Sequence, residues 1–294
     1  MGTFSSEESH QENISEYTLN YKSLYTKKNH PMVLSISSGK GGVGKTLTVV
    51  NLALFAQKQG HKVLIIDGDL GMANVDIVLG LVPRYNIRDV LNGQVTINDI
   101  MLEGPQGIKI IPSGSGISSL QQLTFVEKQL LSEQLSRLKT DFDLYFIDTG
   151  AGIGDNVINL NLMAHRRILV TTSEPHAMTD VYAMMKVFSQ QKINRCDLIV
   201  NMAKSAKEGE QTAYKLKEVA QKFLNMKVNY LGHIPYDQQL NKHLLRRDMG
   251  SIEASKTISA QAWSHITREI LSETNENFST NTEDSLFKKL INVG

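Results

Sequence analysis

Eight consecutive residues of the chain have the types and spacing that bind the phosphates of a nucleotide. An apolar stretch at residues 32–37 precedes them and an apolar helical pattern begins after them at Leu47. A glycine loop between a strand and a helix directs backbone N–H groups and the positive end of the helix at one anion. The pattern G-x-x-x-x-G-K-[ST] is met by Gly39, Lys40, Gly41, Gly42, Val43, Gly44, Lys45 and Thr46. We expect these residues and Leu47 to bind nucleotide, with Lys45 on the β- and γ-phosphates and Thr46 on Mg²⁺.

Carboxylates follow two further apolar stretches. Asp67 and Asp69 follow the stretch that begins at residue 62, and Asp148 follows the stretch that begins at residue 144. Because ligands of open α/β sheets bind at the carboxyl ends of strands, we expect Asp67 and Asp148 to hold Mg²⁺. Asp69 is predicted to orient the water that attacks the γ-phosphate. The glycines after Asp148 suit a switch that moves when that phosphate leaves; turns without chemistry are the alternative.

A third expectation concerns the nucleotide base. Asn201 ends an apolar stretch, and a carboxamide can donate to and accept from adenine at the same time. Pro235 and Asp237 lie in a segment that could complete the base pocket. The residues alone are equally compatible with Asn201 as an ordinary loop residue.

The elements that must position these residues alternate along the chain. Short apolar runs are apolar on both faces, which is typical of a parallel sheet covered by helices. The alternation predicts an α/β domain with a doubly wound, mostly parallel sheet and helices on both faces. The predicted strands are residues 32–37, 62–67, 108–112, 144–148, 167–172, 198–201 and 228–232, and the predicted helices lie near residues 45–58, 124–139, 177–191, 209–225 and 254–271.

Composition narrows the class of protein. The 294 residues are 41% hydrophobic and 21% charged, as in ordinary globular proteins, and the formal net charge of +1 gives no field that attracts nucleic acid. The single cysteine, Cys196, excludes an intramolecular disulfide and a CxxC metal site. No stretch reaches 18 apolar residues and the N-terminus has no apolar signal core, so we expect a cytoplasmic protein.

Both ends of the chain differ from the region between them. Residues 1–30 are polar and predicted to be a flexible extension, residues 31–271 form the expected ATPase domain, and residues 272–284 are a polar, acidic linker. Residues 285–294 follow, with apolar residues on one side of a helix and lysines on the other. This pattern predicts a short membrane-targeting helix, with docking on its own domain or disorder as alternatives. The residues expected at the membrane are Leu286, Phe287, Lys288, Lys289, Leu290 and Ile291.

Lys40 is a second lysine that an ordinary P-loop does not need. With it, residues 40–46 resemble the deviant Walker A motif of the MinD/ParA family of ATPases. The resemblance extends over about 240 residues and includes residues 67–76, 148–152 and the segments of Asn201 and Pro235. Within that family the sequence segments at residues 69–83 and 148–153 are most similar to the FlhG group, also called FleN or YlxH. That group regulates flagellar number and placement.

The resemblance implies a mechanism and a set of partners. It implies a homodimer that encloses two ATP molecules with Mg²⁺, in which Lys40 acts catalytically across the interface together with Lys45 and Asp69. It also implies that the ATP-bound dimer lies on an anionic membrane surface and that slow hydrolysis returns the monomer to the cytoplasm. The implied protein partners are an FlhF-like GTPase and flagellar C-ring or transcription-regulator proteins. The short Asp-Gln-Ala motif that opens many FlhG sequences is missing from residues 1–30, which puts stimulation of the GTPase by this segment in doubt.

Other classes of function are compatible with parts of the sequence. A MinD-like regulator of the division site would use the same motifs. A ParA-like partitioning ATPase would bind DNA, which requires a basic surface, and the net charge makes DNA an unlikely partner. Iron–sulfur carriage would need more than Cys196. A scaffold would bind ATP without hydrolysing it, even with lipid and partner present. An enzyme acting on a metabolite would need a second substrate pocket, which the sequence does not show.

Overall fold

The structure, a computed structural model, describes residues 31–69, 75–113, 123–138, 141–240 and 257–272. Within these residues, eight strands form one sheet in the order β3-β4-β2-β5-β1-β6-β7-β8. All neighbouring strands run parallel except β3 and β4, which pair antiparallel at one edge. The strands are β1 (Met32–Ser38), β2 (Val63–Gly68), β3 (Leu102–Glu103), β4 (Lys109–Ile111), β5 (Leu144–Ala151), β6 (Arg166–Thr171), β7 (Arg195–Ala203) and β8 (Lys227–Pro235).

Helices cover both faces of this sheet. One face packs against α1 and α8, and the other packs against α3 to α7. The helices are α1 (Lys45–Lys58), α2 (Val75–Leu79), α3 (Ile87–Leu91), α4 (Phe125–Arg137), α5 (Asp155–Met163), α6 (Pro175–Gln190), α7 (Ala206–Leu224) and α8 (Ile258–Ser272). The predicted doubly wound α/β fold is confirmed.

The sequence of α1 explains its central place. Leu47 to Ala56 are all buried because the sheet lies on one side of the helix and α8 on the other. Gly44 begins the helix in a left-handed conformation, and Gly60, with φ of 93°, follows its end. The loop before α1 is thereby fixed to the most buried helix of the domain.

Four elements were not among the predictions. The two-residue β3 and the five-residue α2 and α3 are too short to show a hydrophobic period. Helix α5 contains Asn156, Asn159, Asn161 and the β-branched Val157 and Ile158, all of low intrinsic helix propensity. Tertiary packing of its apolar side against the sheet determines that it is helical.

The predicted terminal segments lie outside the described residues. This applies to the extension at residues 1–30, to the linker beyond Ser272 and to the helix predicted at residues 285–294. Among the described helices, none combines the length and apolar character needed to cross a bilayer.

A buried ion pair joins three strands to the last helix. Arg166, at the start of β6, donates from Nε to Oδ2 of Asp197 at 2.5 Å and from Nη1 to the carbonyl of Ile270 in α8 at 3.1 Å. Asn229 of β8 donates to the other carboxylate oxygen of Asp197 at 3.0 Å. The last turn of α8 is thus fixed to the edge of the sheet that lies opposite the carboxyl ends of the strands.

We expect Asp197→Ala to lower the free energy of unfolding by about 3–5 kcal/mol, because it leaves the Arg166 guanidinium buried without its carboxylate. Urea unfolding followed by far-UV circular dichroism measures the change. Glu103→Ala is the matched control, since the Lys109–Glu103 pair is at the surface. The control should unfold at the parent's urea concentration. Equal midpoints for the two variants would contradict the assignment.

Candidate functional site

The parallel strands bring the predicted residues to one edge of the sheet. Asp67 of β2 and Asp148 of β5 are paired directly in the strand register, and both side chains are fully buried. The neighbouring β1 leads into the phosphate loop, and Asn201 lies near the end of β7. Four distant segments of sequence therefore meet around the beginning of α1.

The loop itself is shaped by glycines. Gly42 and Gly44 have φ of 82° and 83°, in the left-handed region that glycine adopts without strain. No side chain caps the beginning of α1, and its first turn contains no acidic residue. The backbone N–H groups at this end of a 14-residue helix are therefore left for an anion, as the sequence predicts.

Lys45 and Asp148 form an ion pair beneath the loop. The lysine side chain is 8% exposed, and its Nζ lies 2.5 Å from Oδ1 of the fully buried carboxylate. Burial raises the pKa of Asp148, while the charge of Lys45 and the nearby hydroxyl of Thr46 oppose the rise. Oδ2 of Asp148 has no hydrogen-bond partner of normal geometry in the described part of the chain. The pair is thus in place with one oxygen ready for a further ligand.

These groups fit a magnesium ion that is completed by ligand and water. Thr46 is half-buried with its hydroxyl near Asp148, and the second oxygen of that carboxylate is buried without a hydrogen bond of normal geometry among the described residues. Those residues contain no cluster of three or more His, Cys, Asp or Glu side chains suited to a metal. Mg²⁺ usually keeps several waters and takes one or two protein ligands together with phosphate oxygens, so this sparse donor set matches its needs.

Asp67 and Asp69 occupy different positions. Oδ1 of Asp67 accepts from the backbone N–H of Asp69 at 3.1 Å, and Oδ2 accepts from that of Val75 at 3.2 Å. Asp69 faces the end of β5, since a Cβ placed on Gly150 would lie 3.7 Å from its carboxylate, and its charge contributes to the raised pKa of Asp148. Asp67 thus organises the loop after β2, while its role at Mg²⁺ and that of Asp69 at water remain predictions.

Asn201 braces the phosphate loop. Its Nδ2 donates to the carbonyl of Val43 at 2.8 Å, and a Cβ on Gly44 would lie 2.2 Å from that nitrogen. Its Oδ1 accepts from the N–H of Met202 at 2.9 Å. The adenine contact predicted for Asn201 stays a prediction. In the structure the same amide holds the backbone of the phosphate loop.

Met202 lies at the candidate site and was not among the predicted residues. Its backbone is left-handed, with φ of 55°, and its side chain is 41% exposed beside Gly44. Tyr236 is also exposed, and its N–H donates to the carbonyl of Ala203 at 2.9 Å, which ties the ends of β7 and β8 together. An exposed methionine after a strand carries no signal in sequence spacing.

Pro235 and Asp237 lie at the same end of β8. Asp237 accepts from the Ser259 hydroxyl at 2.6 Å and from the N–H of Gln239 at 3.0 Å. Burial acts to raise the pKa of Asp237, and these hydrogen bonds outweigh it and lower the pKa. The carboxylate therefore holds the first turn of α8, and the predicted nucleotide contacts of Pro235 and Asp237 stay predictions.

The second lysine of the loop points outward. Lys40 is 45% exposed, and its Nζ lies 3.4 Å from Oε2 of Glu174, the exposed residue immediately before α6. Beside it, Gly39 contacts α6 so closely that an added Cβ would lie 2.3 Å from the backbone carbonyl carbon of Asp180. The loop is thus held by α6 on one side and by Asn201 on the other.

We expect Gly39→Ala to lower the melting temperature by several degrees, because the methyl group must push α6 and the loop apart. Gly41→Ala is the matched control, since a Cβ at Gly41 meets nothing within 4 Å. Differential scanning calorimetry measures both. A control that melts as early as Gly39→Ala would show that loop flexibility, and not the α6 contact, determines the result.

Comparisons with known proteins agree with this geometry. The ParA family, described as NUBPL iron-transfer P-loop NTPase, matches residues 29–271. Antiactivator FleN of Pseudomonas aeruginosa is 39% identical over 215 residues, which cover 72% of this chain and 77% of FleN. The flagellum site-determining protein YlxH of Helicobacter pylori is 34% identical over 231 residues, 78% of each chain.

A solved structure extends the likeness to three dimensions. The septum site-determining protein MinD of Pyrococcus horikoshii, complexed with Mg-ADP, is similar with a TM-score of 0.66 at 26% identity. The match covers 84% of this chain and 100% of that one. A family match over most of the chain, relatives above 30% identity and a shared fold agree with the phosphate loop found here, and the chain belongs to the ParA/MinD family of P-loop NTPases.

Proposed function

We propose that the chain is a slow switch ATPase that dimerises with ATP and regulates the number or placement of flagella. The observation that carries the proposal is the division of work between two lysines of one loop. Lys45 is buried in an ion pair with Asp148, whereas Lys40 is exposed and has only an exposed carboxylate as its partner. Lys45 binds the phosphates of its own subunit, and Lys40 is positioned to reach the nucleotide of another subunit.

Each residue around the phosphate loop has its own role in ATP binding and hydrolysis. The backbone N–H groups of residues 41–46 hold the phosphates, and Lys45 neutralises the charge that develops on them. Thr46 and, through water, Asp148 and Asp67 would hold Mg²⁺, which supplies further neutralisation of phosphate charge when bound. Asp69 orients the attacking water, and Gly150 and the glycines that follow let the end of β5 move after cleavage.

The base pocket is formed by residues at the ends of β7 and β8. Asn201 keeps one N–H of its amide for adenine while the other holds Val43. Met202 and Tyr236, both exposed beside this position, provide apolar surface for the base. Pro235 closes the pocket, and Asp237 contributes through the first turn of α8.

The flagellar part of the proposal is supported by relatives and not by site chemistry. FleN is named an antiactivator and YlxH a flagellum site-determining protein, and the chain matches more than three quarters of each. An FlhF-like GTPase, C-ring proteins or transcription regulators are the partners that follow from this likeness. Two septum site-determining MinD proteins, at 28% and 26% identity, support the same switch with another target.

The membrane part of the proposal depends on residues 285–294. Their apolar residues and lysines fall on opposite sides of a helical projection, as in helices that lie in a membrane interface. A single helix of about ten residues binds weakly because its folding is marginal in water. Two copies in a dimer bind far better because the second binding event is intramolecular. ATP would therefore bring the protein from the cytoplasm to the inner face of the cell membrane.

We expect Lys40→Ala to abolish ATP-dependent dimerisation and to lower the hydrolysis rate at least tenfold, without changing the melting temperature. Size-exclusion chromatography with light scattering, with and without ATP and Mg²⁺, measures the dimer. Glu174→Gln is the matched control, because it removes the partner of Lys40 within the same chain and leaves the lysine in place. If both variants lose the dimer equally, Lys40 acts through Glu174 of its own chain. The proposal that Lys40 contacts the nucleotide of the partner subunit is then wrong.

We expect Asp69→Ala to remain on anionic liposomes after ATP is removed, because the ATP-bound dimer is not hydrolysed. Removal of residues 285–294 from that variant should abolish sedimentation with liposomes and leave the dimer intact. Lys45→Ala is the control that should neither dimerise nor sediment. Release of Asp69→Ala from the liposomes at the parent's rate would contradict the role of Asp69 in hydrolysis. Sedimentation of the shortened chain with liposomes would contradict the role of residues 285–294 in membrane binding.

A further inference from the structure

A buried polar layer lies between β1 and α5, directly beneath the phosphate loop. Val33, Ser35 and Ser37 are on the same side of β1, and all are fully buried. Val33 belongs to an apolar cluster, whereas the next two positions toward the loop carry hydroxyls. Apolar side chains would fill this space without any need for partners, so the change to hydroxyl groups requires an explanation.

Asn161 of α5 satisfies both serines. Its Oδ1 accepts from Ser35 Oγ at 2.7 Å and from Ser37 Oγ at 3.1 Å. Its Nδ2 donates to Ser37 Oγ at 2.8 Å and to the carbonyl of Val157 in its own helix at 2.7 Å. The contact with Val157 requires a donor, which fixes the orientation of the amide and leaves Oδ1 toward the serines.

The layer continues to the predicted switch, residues 149–152 at the end of β5. Between the pairs Ile36–Asp148 and Ser38–Ala151 the strand register shifts, so that Ser37 alone lies opposite Thr149 and Gly150. This is a β-bulge, an irregularity that often redirects side chains beside active sites. The bulge begins one residue after Asp148, the partner of Lys45.

Thr149 connects the bulge to the layer. Its single hydroxyl proton has three acceptors within reach, namely Ser37 Oγ at 2.9 Å, the carbonyl of Gly150 at 3.0 Å and that of Ile36 at 3.1 Å. Two of the acceptors belong to β1 and one belongs to the bulge itself. The hydroxyl can therefore exchange partners between the strand and the switch without leaving its buried position.

We propose that Asn161 is a positioning residue for hydrolysis, which rests on the ATPase function proposed above. By holding Ser37, it fixes the acceptor to which Thr149 donates, and so fixes the bulge that carries Gly150 beside Asp69. When the switch moves, Thr149 changes acceptor and the displacement passes through Ser37 and Asn161 into α5. The network thus links the phosphate loop, the switch and one surface helix.

We expect Asn161→Leu and Thr149→Val each to lower kcat about tenfold, with KM and the Kd for ATP within about twofold of the parent. Both variants keep the branching of the side chain's heavy atoms and remove its hydrogen bonds. Thr267→Val is the matched control, because it also removes a buried hydroxyl, one that donates to the carbonyl of Trp263 within α8 and takes no part in the polar layer. The control should keep the parent's kcat, and an equal loss of kcat in the control would overturn the proposal.

A second variant separates positioning from stability. Ser35→Ala and Ser37→Ala, combined with Asn161→Leu, remove the unsatisfied hydroxyls and should restore the melting temperature lost in Asn161→Leu. The positioning role predicts that kcat stays low in this triple variant. Return of kcat to the parent's value together with the melting temperature would show that Asn161 is only structural.

A measurement without turnover keeps the two proposals distinct. The N–H of Gly152 donates to the carbonyl of Ser38 at 2.9 Å, on the far side of the bulge. Its hydrogen exchange in nucleotide-free protein should be about tenfold faster in Asn161→Leu and in the triple variant than in the parent. Unchanged exchange would overturn the link between Asn161 and the switch. A parent that does not hydrolyse ATP, with exchange still faster in the variants, would overturn the proposed function and leave that link in place.

Discussion

The ammonium of Lys45 and the carboxylate of Asp148 lie 2.5 Å apart beneath the phosphate loop, and the rest of the domain supports this contact. Removing two charges from water is costly, and their attraction repays the cost only when the geometry is good and the remaining atoms find partners. Here one carboxylate oxygen has no partner among the described residues. The pair is therefore built for a ligand that completes it and not for stability alone.

Several unrelated contacts hold that pair in place. The parallel register puts Asp148 beside Asp67, which in turn holds the N–H groups of Asp69 and Val75. Asn201 holds the loop at Val43. The register fixes the backbone of Asp148, Asn201 fixes the loop that leads to Lys45, and Asp67 fixes the loop after the neighbouring strand. A rigid frame of this kind lets a phosphate replace one partner of Lys45 without reorganising the strands.

Much of the fold could be predicted from sequence because its signals are local. Seven of the eight strands and the long helices follow from apolar runs and periodicity, and the phosphate loop follows from its glycines and Lys45. Helix α5 could not be found, because its asparagines and β-branched residues mask the helical period and only packing stabilises it.

The residues of the candidate site divide in the same way. The sequence could place Asp67 and Asp148 at one edge of the sheet because they end apolar runs, whereas the positions of Met202 and Asn161 depend on neighbours distant in sequence. The contacts of Asn201 with Val43 and of Asp237 with Ser259 could not be predicted from the sequence either. A side chain that binds a ligand and one that braces a loop can be the same residue type at the same strand end, so only the contacts distinguish them.

Trp263 has a practical consequence for studying this molecule. It is the only tryptophan in the sequence, and it is fully buried in α8, which packs against α1. Its indole N–H has no hydrogen-bond partner among the described residues, so its emission reports an apolar environment that few polar groups disturb. The protein therefore carries an intrinsic fluorophore in α8, packed against the helix that follows the phosphate loop, and relative motion of these two helices can be followed optically without attaching a dye.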